Sequence, residues 1–583
     1  MARLRPPQLR RLLPYLVRHK RGLAWGIGCL LLTTALSVAG PWVLRYAIDD
    51  LALQITREKL FVYAGLILAL AVLEGVFRYW MRMILIGLSR EIEYELRNDV
   101  FRHLARQGAS YYHAHRIGDI MSRATNDMSA VRMVLGPGIM YTANTLATFT
   151  GSVTLMFRIS PALSGLSLVP LLLVSFLVRY FGRRIHDRFE RVQEQLANIN
   201  ALVQENLAGA RVVRAYAQEQ AEQRRFEEAN LEHLRRNREL IKMFGTLYPG
   251  IQILMGTGIV LVIWVGGRMV VSGAITLGAF VAFGAYVAML HWPMIAVGWV
   301  VNLFERGEAS MGRINAMLDA PPEIRDEQPE RLAAIRGDVL FRNLSFGYGG
   351  TPVLHDIDLF VPSGTTVAIV GPTGCGKSTL VSLIPRLFDA APGMLFVDDH
   401  DVRRVPLESL RGAIGFVPQE TFLFSESVRE NIAFGIRDGR DGRVEWAGGV
   451  AQLAKDVAGF PKGYETFVGE RGITLSGGQK QRTAIASALA TDPKILILDD
   501  ALSSVDTETE EEILRGLLGV MKTRTTFLVS HRVSTVKEAD LIVVLREGRI
   551  VERGTHDELV KNGGFYADLN RRQLLEREME TTA

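Results

Sequence analysis

A helical membrane domain followed by an α/β phosphate-binding domain is the fold class that this sequence predicts. Three observations lead there. Six apolar segments long enough to cross a bilayer all lie before residue 305. From Val339 onward, short β-like runs alternate with helical patterns, as expected of an α/β domain. In that second part, TTVAIVGPTGCGKSTL sets Gly371-x4-Gly376-Lys377-Ser378 between an apolar run and a helical pattern.

Composition agrees with this division. The 583 residues are 48% hydrophobic and 22% charged, a mixture that suits a membrane part joined to a soluble part. Net charge is +5. Much of the basic excess flanks apolar segments, so it points to the lipid bilayer surface and away from nucleic acid. Cys29 and Cys375 lie far apart and make neither a disulfide framework nor a metal framework.

The first apolar run, Leu23 to Ala47, has 25 residues. That is too long for the core of a signal peptide. At about 1.5 Å per residue it can cross a hydrocarbon layer of roughly 30 Å. Further apolar segments lie near 60–88, 134–157, 162–182, 246–267 and 274–303. The loops Asp49–Lys59, Phe157–Pro161 and Gly266–Thr276 are short, whereas 89–131 and 183–243 are long and rich in Arg. The positive-inside bias places both long loops and the N-terminus in the cytoplasm. Six crossings return the C-terminal part to the same side of a plasma (inner) membrane.

The long loops carry helical periodicity. Phe189, Val192, Leu196, Ile199, Leu202 and Val203 trace one stripe and predict an amphipathic helix. The loop Glu91–Arg132 reads similarly, with breaks expected near Gly108 and Gly118. In the second span, Glu74, Arg78 and Arg82 share one face. Ionisable groups at such positions face a bundle interior or a watery cavity, or neutralise each other. Met81, Met83, Met140, Met255 and Met289 add soft apolar surface. The segment 316–330 clusters Pro and charge and reads as a connection. The expected limits are 1–320 for the membrane part, 321–337 for the linker and 338–583 for the soluble part with its C-terminal helix.

The Gly371–Ser378 pattern is a P-loop in its required context, strand before and helix after. Glycines let backbone N–H groups wrap phosphates without a Cβ clash. Lys377 can reach the β- and γ-phosphates, and Ser378 can ligate Mg²⁺. Cys375 reads as a small filler. The run ILILDD, ending in Asp499 and Asp500, has the continuous apolar character of a buried parallel strand. Ligands bind beyond the carboxyl ends of such strands, so Asp499 is expected near the P-loop at Mg²⁺. Ser476, Gly477 and Gly478 precede an Ala-rich helical pattern, a second anion-binding arrangement. With one P-loop already present, that second cradle suits a nucleotide presented by a partner chain.

These motifs stand in a familiar order. Residues 338–575 resemble the nucleotide-binding domain of an ABC transporter, and the whole chain resembles an exporter-type half-transporter with six spans ahead of that domain. The resemblance implies ATP and Mg²⁺ as ligands. Tyr348, in LSFGYGG, matches the adenine-stacking position. Gly371, Pro372, Thr373, Gly374, Cys375, Gly376, Lys377, Ser378 and Thr379 form the Walker A motif. Gln419, in FVPQE, matches the Q-loop glutamine near Mg²⁺, and TFVGERG, 466–472, is similar to the exporter x-loop. Leu475 with Ser476, Gly477, Gly478 and Gln479 matches the signature motif. ILILDD is the Walker B motif, SSVD at 503–506 resembles the D-loop, and His531 matches the switch histidine. The helical loops then acquire a coupling role, with their tips near 109–119 and 211–218.

One position departs from the family pattern. The residue after the Walker B Asp is usually Glu, which orients or deprotonates the attacking water; here it is Asp500. Its carboxylate falls short by about 1–1.5 Å. Errors near 1 Å can cost about a hundredfold in rate. The resemblance therefore implies a Walker side that binds ATP and hydrolyses it poorly, paired with a second half-transporter that carries Glu. The pattern resembles bacterial heterodimeric multidrug exporters of the TmrAB type, which are similar to the antigen-processing peptide transporter TAP, and within them the B chain. Amphipathic drugs, peptides or lipids would suit its spans. A slow homodimeric exporter or lipid flippase, and an ATP-gated channel or regulatory subunit, are alternative readings of the same residues.

Overall fold

The computed structural model describes residues 7–326, 330, 334–436, 442–503 and 507–582. The chain divides into two compact units, Met1–Ala105 with Arg116–Ala320, and Arg106–His115 with Pro321–Ala583. The tip of the first long loop thus belongs with the second unit.

In the first unit, five helical stretches among the described residues are long and apolar enough to cross a membrane: Lys20–Leu53, Arg57–Leu104, Pro161–Ala208, Glu219–Val271 and Leu277–Leu318. The expected third span forms the helix Ile139–Ile159, which falls outside that group. Thr142, Asn144, Thr145, Thr148, Thr150 and Thr154 dilute its apolar character. Short polar side chains start several helices. Thr56, Ser160 and Thr276 accept from the backbone N–H three residues on, at 3.3, 3.3 and 3.1 Å, satisfying orphan donors of the first turn. Wide π turns interrupt the region between the second and third spans at Arg123–Asp127 and Val134–Gly138. Pro137 lies in the latter, where it lacks an N–H for the helical ladder.

The long loops are helical, with two adjustments. The first loop breaks around Gly108 and again at His115–Arg116, so Gly118 lies inside the helix Ile117–Ser122. Arg116 has extended backbone there. The second loop continues the helix Pro161–Ala208, turns through Ala210–Ala215, and returns as Glu219–Leu261. The expected stripe divides: Val192, Ile199 and Leu202 are buried, whereas Phe189, Leu196 and Val203 are exposed. One antiparallel helix covers only a narrow seam of its neighbour, and the row Phe189, Leu196 and Val203 falls beside the seam that Val192, Ile199 and Leu202 occupy. Gln195 on the buried side donates to the Ala229 carbonyl at 2.9 Å. Arg78 donates to Glu74, and Arg82 is exposed. The segment 316–330 is helical as far as Leu318.

The second unit holds two sheets. Strands β1 (Val339–Tyr348), β2 (Thr351–Val361), β3 (Thr366–Val370), β4 (Leu395–Val397) and β5 (His400–Asp401) are followed by β6 (Ile414–Val417) and β7 (Ile495–Asp499). Strands β8 (Thr525–Val529), β9 (Leu541–Arg546) and β10 (Arg549–Gly554) complete the set. The smaller sheet has the order β2-β1-β4-β5 and the larger β10-β9-β3-β8-β7-β6. In the larger sheet, β9, β3, β8, β7 and β6 run parallel. Every residue of β3, β7 and β8 is buried. Side chains alternate between two cores: Ala368, Val370, Leu496, Leu498 and Leu528 enter one, and Ile369, Ile495, Ile497, Phe527 and Val529 the other. This two-sided burial is why the strands read as unbroken apolar runs.

Candidate functional site

Parallel strands discharge their carboxyl ends along one edge, and four neighbours bring the expected residues there. β3 leads into Gly371–Ser378, β8 into Ser530 and His531, β7 ends at Asp499 and Asp500, and β6 leads through Pro418 to Gln419. These residues line a cavity of about 300 Å³ that includes Gly371, Thr373, Gly374, Gly376, Lys377, Ser378 and Thr379. Asp499, Asp500, Gln419 and His531 line it too.

The loop conformation demands its glycines. Gly374 and Gly376 have φ of +80° and +101°, a region that L side chains rarely adopt. A Cβ on Gly371 would lie 2.1 Å from the Leu545 carbonyl oxygen and 2.9 Å from Cys375 Sγ. Gly371→Ala is expected to lower the stability of this unit by about 1–3 kcal/mol. A reduced thermal midpoint, with lost nucleotide binding, is the result to look for; an unchanged midpoint would contradict the steric account. Cys375 is buried, and burial pushes its thiol up, in keeping with a packing role.

Lys377 Nζ donates to the carbonyls of Gly371 and Pro372, both at 2.8 Å, which holds the ammonium over the loop. Ser378 Oγ donates to Asp499 Oδ1 at 3.0 Å. Asp499 is 4% exposed, and burial, with the Asp500 charge beside it, pushes its carboxyl above the usual range. A hydroxyl and a carboxylate at this spacing form a hard-oxygen pair suited to Mg²⁺. Among the described residues no group of three or more His, Cys, Asp or Glu side chains could hold a metal. The donor set therefore fits an ion that takes its remaining oxygens from phosphates and water.

Asp500 sits at φ +51°, a left-handed conformation that Asp tolerates better than most residues. Its N–H donates to the Val529 carbonyl at 2.9 Å, and its Oδ1 accepts from His531 Nδ1 at 3.1 Å. The carboxylate is thus engaged by His531. Ser503 Oγ donates to the Asp500 carbonyl at 3.0 Å and accepts from Gln481 Nε2 at 3.1 Å. Ser504, Val505 and Asp506 of the D-loop-like SSVD lie outside the described residues.

Tyr348 lies apart from this cavity. It lines a larger, adjoining one of about 1340 Å³ with Thr379, Phe388 and His113. Its hydroxyl donates to Thr379 Oγ1 at 3.3 Å, and Phe388 meets its ring edge-on with centroids 5.0 Å apart. Ser476, Gly477, Gly478 and Gln479 line neither cavity. Ser476 and Gln479 form a reciprocal capping box at the start of the helix Gly477–Ala490, and Ser476 and Gly477 are exposed. Gln479 Nε2 also donates to Asp456 Oδ1 at 3.1 Å.

Sequence reasoning missed Phe388, Gln481 and Gln573. Gln573 donates to the His531 carbonyl at 2.7 Å. None carries a motif, and each reaches the site through a contact distant along the chain.

Known proteins place this geometry in a lineage. Residues 23–294 match the ABC transporter transmembrane region, and residues 354–503 match the ABC transporter family. The chain is 37% identical over 552 residues to the probable multidrug resistance ABC transporter ATP-binding/permease protein YheI of Bacillus subtilis, covering 94% of each. It is 34% identical over 569 residues to the ATP-dependent lipid A-core flippase of Syntrophus aciditrophicus, covering 97% of this chain and 94% of that one. A solved bacterial Atm1-family ABC exporter with ATP bound matches at a TM-score of 0.78 and 29% identity, over 95% of this chain and 98% of that one. The chain belongs to the ABC transporter family, as an exporter-type half-transporter with a helical transmembrane domain and a transport ATPase domain.

Proposed function

We propose that this chain is one half of a heterodimeric exporter that moves amphipathic substrates out of the cytoplasm, and that its own Walker side binds ATP but turns it over slowly. The observation that carries this reading is the pairing of Asp500 with His531 at 3.1 Å. A carboxylate one methylene shorter than Glu is held by the histidine and reaches too little of the space where water must attack.

The other residues suit nucleotide capture. The loop from Gly371 to Gly376 cradles phosphate oxygens with its N–H groups. Lys377, tethered by two carbonyls, exchanges them for phosphate oxygens. Ser378 and Asp499 would hold Mg²⁺, which would supply charge neutralisation to the phosphates. Gln419 adds an oxygen at the same edge. Tyr348 offers its ring to adenine. Tyr348→Ala is expected to weaken ATP binding by about 1–3 kcal/mol in equilibrium titrations; unaltered affinity would remove Tyr348 from the base site.

The Ser476–Gln479 turn, exposed at Ser476 and Gly477, lines neither cavity of its own chain, which supports its use on a nucleotide held by a partner. A partner with Glu after its Walker B Asp then supplies one competent site. Residues near 109–119 and 211–218 carry closure of the ATPase domains to the spans, with the N-terminus and ATPase domain on the cytoplasmic side of the plasma membrane. Co-purification from the native membrane tests the assembly. A second half-transporter chain with that Glu supports the proposal; a homodimer with brisk ATP turnover rejects it.

A further inference from the structure

The C-terminal helix grips the switch segment that carries His531. Gln573, on the helix Phe565–Thr582, donates from Nε2 to the His531 carbonyl and accepts at Oε1 from the Val533 N–H, both at 2.7 Å. These bonds bracket Arg532, whose side chain donates to Glu510. Glu510 is 2% exposed and also accepts from Thr535 Oγ1 at 2.5 Å. The segment 531–535 is therefore held on two sides. Val533 opens the short helix Val533–Val536, and a first-turn N–H has no acceptor within its own helix. One primary amide supplies both the donor and the acceptor that this stretch of backbone requires.

We propose that Gln573 is a positioning residue for hydrolysis: it sets the backbone of His531 so that the imidazole keeps its place beside Asp500 and the phosphate loop. The inference rests on the reading of this edge as an ATP site. It makes the helix Phe565–Thr582 part of the hydrolytic apparatus, although none of its described side chains lines either cavity.

The test uses the full-length transporter, purified with whatever chain accompanies it and carrying Asp500→Glu so that turnover is readily measured. Gln573→Leu and Gln573→Glu are compared with and without His531→Ala. Gln573→Leu is expected to leave MgATP affinity within about twofold and to slow single-turnover hydrolysis about tenfold. In the His531→Ala background the same change is expected to alter the rate by less than about twofold, because coupled residues are non-additive. Hydrogen exchange at the Val533 amide should accelerate at least about tenfold in Gln573→Leu. Gln573→Glu keeps an acceptor for Val533 but loses the donor to the His531 carbonyl; it should retain the amide protection and still lose the rate. Equal losses with and without His531, or unchanged hydrolysis in both variants, would overturn the proposal while leaving the ATP-site reading intact. Failure of the unsubstituted protein to bind MgATP would overturn that reading, and this inference with it.

Discussion

Lys377→Ala is expected to weaken MgATP binding at this chain's Walker side at least about tenfold, because it removes the one charged donor on the phosphates, and to slow transport because closure uses the nucleotide held there. The ammonium is held over the loop by the carbonyls of Gly371 and Pro372. Its exchange onto phosphate oxygens therefore needs little reorganisation. The loop itself would persist, because Gly371, Gly374 and Gly376 set its backbone. Vesicle uptake and MgATP titration on one preparation distinguish a lost cradle from a misfolded one. Transport at wild-type rates by Lys377→Ala would show that this nucleotide site is dispensable for the cycle.

Asp500→Glu is expected to raise hydrolysis at this chain's Walker side by about ten- to a hundredfold, the range that corresponds to correcting a placement error near 1 Å. The longer arm advances its oxygens while the backbone anchors survive. The Asp500 N–H remains on the Val529 carbonyl, and its own carbonyl still accepts from Ser503. Site-resolved single-turnover measurement is required, because a faster partner site would mask the gain in bulk turnover. No gain, with MgATP binding intact, would locate the limitation elsewhere than in the length of the side chain.

Much of the fold was legible before any coordinates. The two-part architecture followed from apolar runs and from the switch to alternating short elements. β3 and β7 were readable because burial on both faces leaves unbroken apolar runs, Val367–Val370 and Ile495–Leu498, in them. The third span illustrates the opposite case. Its threonines keep the helix Ile139–Ile159 outside the group apolar enough to span by composition alone. The helical stripe at 189–203 was also read too broadly, since periodicity marks an apolar face and does not say how much of it a neighbour covers.

The candidate site divides in the same way. Lys377, Ser378 and Asp499 were legible as local motifs, because a phosphate loop and the end of a buried strand need particular residue types, whereas Gln419 and His531 were indicated only by the family resemblance. Their assembly along one edge depended on the order β3-β8-β7-β6. The contact of Asp500 with His531 and the grip of Gln573 on the switch segment were invisible. Contacts of 31 and 42 residues' separation leave no periodicity and no spacing rule in the chain.

By itself, then, the sequence indicated the chemistry available to this protein: a phosphate loop, a Mg²⁺-suited pair, a carboxylate one methylene shorter than Glu and a Ser-Gly-Gly turn ahead of a helix. Only the tertiary structure decided which groups engage one another. The physical reason is that residue type and spacing govern local backbone and burial, whereas side-chain pairing follows from which strands and helices become neighbours.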